Sequence, residues 1–230
     1  MTEFNNDIII NNIFKSFESD LKENRIFTDN GIKMLEKIGF SFLLNPKQWN
    51  IKTSYKNSNK EYIKKELKWY LSQSLSVKGY VDDIKIWNTV SNKYGEINSN
   101  YGFLVFSEEN GNQFNKALNC LLKNKNSRQA VIIYTRPEIH EEAVENGKND
   151  FICTNINHFF IRDNKLIMIY QMRSNDFIYG FFNDFAWACF LYRKMLRKLK
   201  KTYSELDYGY IQWNADSFHI YEKHFSLFKI

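Results

Sequence analysis

The stretch that decides the fold is "INHFFIRDNKLIMIYQMR", residues 156–173. Two apolar runs flank the polar "RDNK", a pattern that reads as two strands joined by a turn. Upstream, "QAVIIYT" (129–135) is a short β-branched run and reads as a buried strand. Downstream, "DFAWACFLYRKMLRKLKK" (184–201) reads as a long helix whose basic C-terminal end suits the helix dipole. The tail "DYGYIQWNADSFHIYEKHF" (207–225) suggests one more strand and then a polar turn before His219. Farther upstream, residues 5–24 carry Ile8, Ile9, Ile10, Ile13, Phe14 and Phe17 as an apolar stripe and read as a helix. "NKEYIKKELKWYLSQS" (59–74) reads as a second helix, capped by Ser58 or Asn59. "GNQFNKALNCLLKN" (111–124) is a third, with Asn112 or Asn110 as its cap. Long helices mixed with strands make an α/β or α+β protein, and strand order is not readable from this pattern.

Composition narrows the function classes. A chain of 230 residues with 43% apolar and 17% aromatic content buries a core as one domain, 1–230, and is not disordered. With two prolines and nine glycines it has no obvious linker. Its apolar runs are too short to span a membrane, and "MTEFNNDIII" is neither a basic leader nor a cleavage signal, so a cytoplasmic protein is expected. Three widely spaced cysteines, Cys120, Cys153 and Cys189, argue against a disulfide framework and fit a reducing compartment. The formal charge of +6 is spread over helix faces, without a recognisable nucleic-acid module. His219 and His224 have no ligand partner at metal spacing, so no metal is expected.

Some residues stand out against bland alternatives. Cys153, just before a strand, is either an inert small hydrophobe or a nucleophile in a donor-rich setting. Arg173 and Ser174 put a planar fork and a hydroxyl side by side, as phosphate binding favours, and Arg128 is a second such arginine. Glu66, beside Leu67, Trp69 and Tyr70, is either one more helical charge or a buried general base. His219 and Tyr221 alternate as on one face of a strand. In "QMRSNDFIYGFFNDFAW" (171–187), Arg173, Asp176 and Asp184 interrupt an aromatic wall, which is expensive unless those charges are paired or used.

The ordered set "ELKWYL", "IKIWN", "YGEINSNYG", "NSRQAV", "FIC…FFIRDNKL", "MRSND…G" and "DSFHIY" resembles the thymidylate synthase family from about residue 60 to residue 222. The resemblance implies a three-layer α/β fold with a large mixed sheet, two such sheets stacking back to back in a homodimer. It implies a pyrimidine nucleoside monophosphate as substrate and 5,10-methylenetetrahydrofolate as co-substrate. Cys153 resembles the nucleophile that adds to C6 of the base, and Glu66 the glutamate that organises water and proton transfers. Tyr101 resembles a tyrosine of the same proton network. Arg173 and Ser174 resemble the phosphate clamp, Arg128 an arginine lent across the dimer interface, and Arg25 in "ENRIFTDNG" a phosphate-loop arginine. His219 and Tyr221 resemble the pair that bonds the sugar 3′-hydroxyl. Trp87, Asp176 and Gly180 resemble positions that contact folate.

Asp184 lies 31 residues after Cys153, where thymidylate synthases carry the asparagine that reads uracil. Cytosine presents an acceptor at N3 and a donor at its 4-amino group. A protonated carboxyl matches both, and burial among Phe181, Phe182 and Phe185 favours that form. Aspartate here is similar to the cytidylate-specific branch, the deoxycytidylate hydroxymethylases; the rival role is capping of the following helix. The implied chemistry is addition of Cys153 to C6 of dCMP, capture of a one-carbon unit at C5, and addition of water, with help from Glu66, to give 5-hydroxymethyl-dCMP. Thr154, His158, Gln129 and Met172 depart from the synthase pattern, and only nine residues follow Tyr221, so folate closure is expected to differ. The alternatives are a CMP 5-hydroxymethylase, a dCMP or dUMP methylase, and a non-catalytic nucleotide-binding protein.

Overall fold

The computed structural model describes residues 5–145, 148 and 150–228. In chain order the elements are α1 (Asn6–Lys22), β1 (Phe27–Asp29), β2 (Ile32–Leu44), α2 (Lys60–Ser72), α3 (Lys85–Val90), α4 (Tyr101–Phe106) and α5 (Gln113–Lys123). There follow β3 (Val131–Ile133), α6 (Ile139–Glu145), β4 (Thr154–Arg162), β5 (Lys165–Asp176), α7 (Phe181–Leu199), β6 (Asp207–Tyr221) and a 3-10 turn, Glu222–Leu227. The chain divides into two compact units, Met1–Lys60 with Arg162–Ile230, and Glu61–Ile161.

In the first unit the strands run in the order β1-β2-β6-β5. β2 is antiparallel to β1 and β6, whereas β5 and β6 are parallel, so the sheet is mixed as expected. α1 begins where Asn5 Oδ1 accepts from the amides of Asp7 and Ile8, and it buries Ile10, Ile13, Phe14 and Phe17. Phe14 and Phe17 meet Phe177, which in turn touches Phe181 and Phe218. α7 buries Phe181, Phe182 and Phe185 in its first turns and Tyr192, Met195 and Leu199 later. Each such aromatic side chain contributes about 2–3 kcal/mol by leaving water. Tyr192 ties the helix to the sheet: its hydroxyl donates to Leu166 O and accepts from Gly209 N. Gly209 is required there, because a Cβ would lie 2.3 Å from Leu166 O.

In the second unit β3 and β4 pair antiparallel, with Val131 opposite His158. Trp69 and Tyr70 on α2 are buried, and Trp69 Nε1 donates to Ser76 O at 2.9 Å. Asn100 caps α4 by accepting from Phe103 N, while its Nδ2 donates to Trp69 O and Ser74 O. α4 approaches α2 so closely that a Cβ on Gly102 would fall 1.6 Å from Tyr70 O.

Asp163 and Asn164, between β4 and β5, both take a positive φ, which Asp and Asn adopt more readily than other non-glycine residues. Three expectations need correction. β6 runs unbroken through "NADS", because Ala215 keeps its register with Phe40 and Met172, so no turn precedes His219. Asn112 precedes α5 but makes no side-chain cap; its Nδ2 donates instead to Glu108. β3 is only partly buried: Ile132 is inside and Ile133 is exposed. The long strand β2 was not foreseen from sequence.

Candidate active site

The first unit gathers most of the polar side chains singled out above at the C-terminal ends of β5 and β6 and the start of α7. The parallel register sets Ser174 against Ser217 and Asp176 against His219. Ser217, His219 and Tyr221 alternate along β6, and the His219 and Tyr221 rings meet edge to face at 4.9 Å. Ser217 Oγ bonds both Glu36 Oε1 and His219 Nδ1, the latter at 3.1 Å. A carboxylate only accepts, so the hydroxyl proton goes to Glu36 and His219 Nδ1–H donates to Ser217 Oγ. The Nε2 of the neutral ring is thereby left as an acceptor. Burial lowers the His219 pKa, against the pull of Asp176 and Glu36 and with the repulsion of Arg173, which keeps the ring neutral. Arg173 and Ser174 are half-buried on β5.

Asp176 closes β5 with an Asx turn, its Oδ1 accepting from Ile178 N and Tyr179 N. Its carbonyl accepts from Gly180 N, and Gly180 starts α7 without any side-chain cap. Asp184 is therefore not the cap of this helix. It is half-buried in the first turn, and its Oδ2 accepts from Asn175 Nδ2 at 3.0 Å. Desolvation pushes its carboxyl up to about 7; Asn175 opposes the rise and the charge of Asp176 adds to it. Asn175 is buried and its Oδ1 accepts from Trp213 Nε1 at 3.1 Å.

The second unit holds the thiol and the glutamate. Cys153 is half-buried in the loop immediately before β4, with Sγ 3.7 Å from Phe151 O. Glu66 on α2 is buried, as its apolar setting suggested; Tyr62 donates to its Oε1 at 3.0 Å and itself accepts from Trp87 Nε1 at 3.1 Å. Tyr101 is buried, stacked on Tyr70 at 5.3 Å and edge-on to Tyr134 at 5.1 Å. Three residues before Cys153, buried Asp150 accepts from Asn98 N and Ser99 N, both at 2.6 Å. Burial lifts its carboxyl to about 6.

Two further arginines are exposed. Arg25 is exposed between α1 and β1, paired with Glu23 and Asp20. Arg128 is exposed ahead of β3, where its carbonyl accepts from His158 Nε2 at 2.9 Å, and it lines an open cavity of about 540 Å³ with Asn124, Asn126, Ser127 and Gln129. Sequence reasoning passed over Asn175, Trp213, Glu36, Ser217 and Tyr62. Asn175 stands within the quoted "MRSND", so the motif signalled it; Trp213 and Tyr62 carried only the ordinary signature of aromatic core. No helix among the described residues is long and apolar enough to cross a membrane.

The family model for thymidylate synthase matches residues 7–230. Deoxycytidylate 5-hydroxymethyltransferase of Enterobacteria phage T4 is 40% identical over 211 residues, which cover 90% of this chain and 84% of that protein. The phage T6 protein of the same name matches with the same identity and coverage. A putative thymidylate synthase of Methanocaldococcus jannaschii is 29% identical over 116 residues, half of each chain.

Proposed function

The chain belongs to the thymidylate synthase family and is a one-carbon transferase acting at pyrimidine C5; from that premise we propose that it converts dCMP to 5-hydroxymethyl-dCMP. The observation that carries the choice of base is Asp184, whose carboxyl is pushed up to about 7 by burial, at the position that resembles the uracil-reading asparagine of thymidylate synthases. Near neutral pH a large share of such a carboxyl is protonated, and it then offers a donor to cytosine N3 and an acceptor to the 4-amino group. The names of the phage relatives support the same base.

In this reaction the Cys153 thiolate forms the bond to C6 while Asp184 gives its proton to N3, and the C5–C6 electron pair becomes the enamine that makes C5 nucleophilic. 5,10-Methylenetetrahydrofolate supplies the carbon at the oxidation level of formaldehyde. After C5–H is lost, water adds to the exocyclic carbon with Glu66 accepting its proton, Cys153 leaves from C6, and Asp184 recovers the N3 proton. Nucleotide, co-substrate and water thus yield hydroxymethyl nucleotide and tetrahydrofolate, with no net oxidation. Tyr62 and Trp87 hold the Glu66 carboxyl in place, and Tyr101 belongs to the same proton network. His219 Nε2 accepts from the sugar 3′-hydroxyl beside Tyr221, and Arg173, Ser174, Arg25 and a partner-directed Arg128 bind phosphate.

The folate positions are Trp87, Asp176 and Gly180, and the side chains near Asp176 suit such a ligand. The Tyr179 ring is exposed, Lys56 and Lys223 stand 5.7 and 4.9 Å from its centroid, and the buried His224 Nε2 has no hydrogen-bond partner. An aromatic platform with two ammonium groups fits a flat heterocycle bearing carboxylates. We assign the protein to one catalytic domain over 1–230, acting as a homodimer through its sheets in the cytoplasm. Incubation with CMP, dCMP, UMP or dUMP plus the folate, read by mass, tests the proposal. It predicts a gain of one CH2O on dCMP. A gain of CH2 would make the protein a methylase, preference for CMP a ribonucleotide hydroxymethylase, and no product with any nucleotide a binding protein.

A further inference from the structure

Asn175 lies between a group that can only donate and a group that reads the base. Trp213 is fully buried, stacked on Tyr170 with centroids 4.5 Å apart and planes 3° from parallel, and Phe181 and Phe185 meet it edge-on. Its indole Nε1–H donates and never accepts, so the Asn175 atom 3.1 Å away is the carbonyl oxygen. The other end of the amide is then NH2, and it is directed at Asp184 Oδ2, 3.0 Å away. A flipped amide would set two donors against each other at Trp213. Because indole nitrogen cannot change role, the orientation of Asn175 is fixed from outside the site.

The consequence falls on Asp184. Its Oδ2 is held as an acceptor, so the proton of the neutral acid sits on Oδ1. Moving the proton to Oδ2 would weaken the bond from Asn175, since a hydroxyl oxygen is the poorer acceptor. We propose that Trp213 and Asn175 are positioning residues that select which oxygen of Asp184 carries the proton and thereby favour cytosine over uracil. This rests on the cytosine reading above. With the proton on Oδ1, the carboxyl presents donor and acceptor in the order that N3 and the 4-amino group need; uracil, with N3–H and O4, needs the reverse. Gly180 lets the pair close, because a Cβ there would lie 3.1 Å from Asp184 Oδ2 and 3.2 Å from Asn175 Nδ2.

Trp213→Phe keeps the ring and deletes the donor, freeing the amide to turn; Asn175→Ala deletes the bond to Asp184 by a second route. Tritium release from 5-tritiated dCMP and dUMP gives kcat/KM for each nucleotide, and NMR titration of the Asp184 carboxyl carbon follows its proton directly. In both variants the dCMP-to-dUMP ratio of kcat/KM falls about tenfold, the upper range for one hydrogen bond between neutral groups. The Asp184 titration moves to higher pH, because the donor to its ionised form is gone. Equal losses for both nucleotides, or an unmoved titration in a folded variant, would overturn the proposal. Wild-type protein that releases tritium from neither nucleotide defeats the functional reading instead, and the titration alone then decides whether the chain from Trp213 through Asn175 governs the Asp184 proton.

Discussion

Asp150 and Asp184 are both carboxyls lifted by burial, to about 6 and about 7, yet their surroundings differ in kind. Asp150 receives two backbone amides, Asn98 N and Ser99 N, whose positions the chain fixes, and the Ser99 side chain also favours its ionised form. Asp184 receives a single side-chain amide, from Asn175. Two rigid donors favour the ionised carboxyl and make Asp150 a tie between the loop before α4 and the segment leading to Cys153. One donor, set against desolvation and the charge of Asp176, leaves Asp184 able to be neutral. The same residue type is a brace in one unit and, in the proposed reaction, a proton carrier in the other, and the difference lies in who donates.

Asp150→Ala separates the two roles most strongly. It orphans both buried amides and lowers stability by about 4 kcal/mol in urea titration; a change below about 1 kcal/mol would remove Asp150 from its bracing role. The pH dependence comes next. Both folded-state values lie above that of an ordinary aspartate, so from about pH 4 upward the folded chain holds more protons than the unfolded one, and these groups lose stability as pH rises to about 7. Asp184→Asn removes its share of that decline and is about 2 kcal/mol more stable than wild type at pH 8, at about 1.4 kcal/mol per pKa unit less partial solvation. Asp150→Asn flattens only the lower part, below about pH 6; a wild-type midpoint unchanged between pH 4 and pH 8 would contradict both assignments.

Gly180→Ala has a smaller effect, about 1 kcal/mol, because the new methyl presses on Asp176 O and the Asp184 carboxyl at once. It also reduces the preference for dCMP, which tritium release measures; a variant as stable and as selective as wild type would mean the helix start yields without disturbing Asp184. Arg25→Ala is the exposed counterpoint. The Arg25 side chain is itself largely exposed, and Asp20 keeps its pair with Lys37, so stability changes by less than about 0.5 kcal/mol in thermal melting.

The candidate site was proposed from seven short motifs in one order, and the structure has Glu66 buried, Cys153 ahead of its strand, and the His219 and Tyr221 rings in contact. The long helices α1, α2, α5 and α7 were legible from apolar stripes, whereas α3, α4 and α6, of six or seven residues each, are too short to show a helical period. What failed to show has physical causes. "NADS" looks like a turn because it is polar, but strand pairing to β2 and β5 on both sides carries the backbone through it. β2 lacks a clean alternation, with exposed Ile38 beside Gly39 at φ +62°, so its period is broken in the middle. The bond from Trp213 to Asn175 spans 38 residues, and a tryptophan in an aromatic strand signals core packing long before it signals a donor. Tertiary hydrogen bonds leave no period in a sequence.

The most direct measurement is the substrate preference of Asp184→Asn. Tritium release from dCMP and dUMP, with wild type and variant side by side near pH 7, reads which edge of the ring this position faces. A neutral acid at position 184 gives wild type a preference for dCMP, and the amide shifts kcat/KM toward dUMP by at least about a hundredfold. Retention of the dCMP preference by the same margin in the folded variant would mean that cytosine is recognised elsewhere.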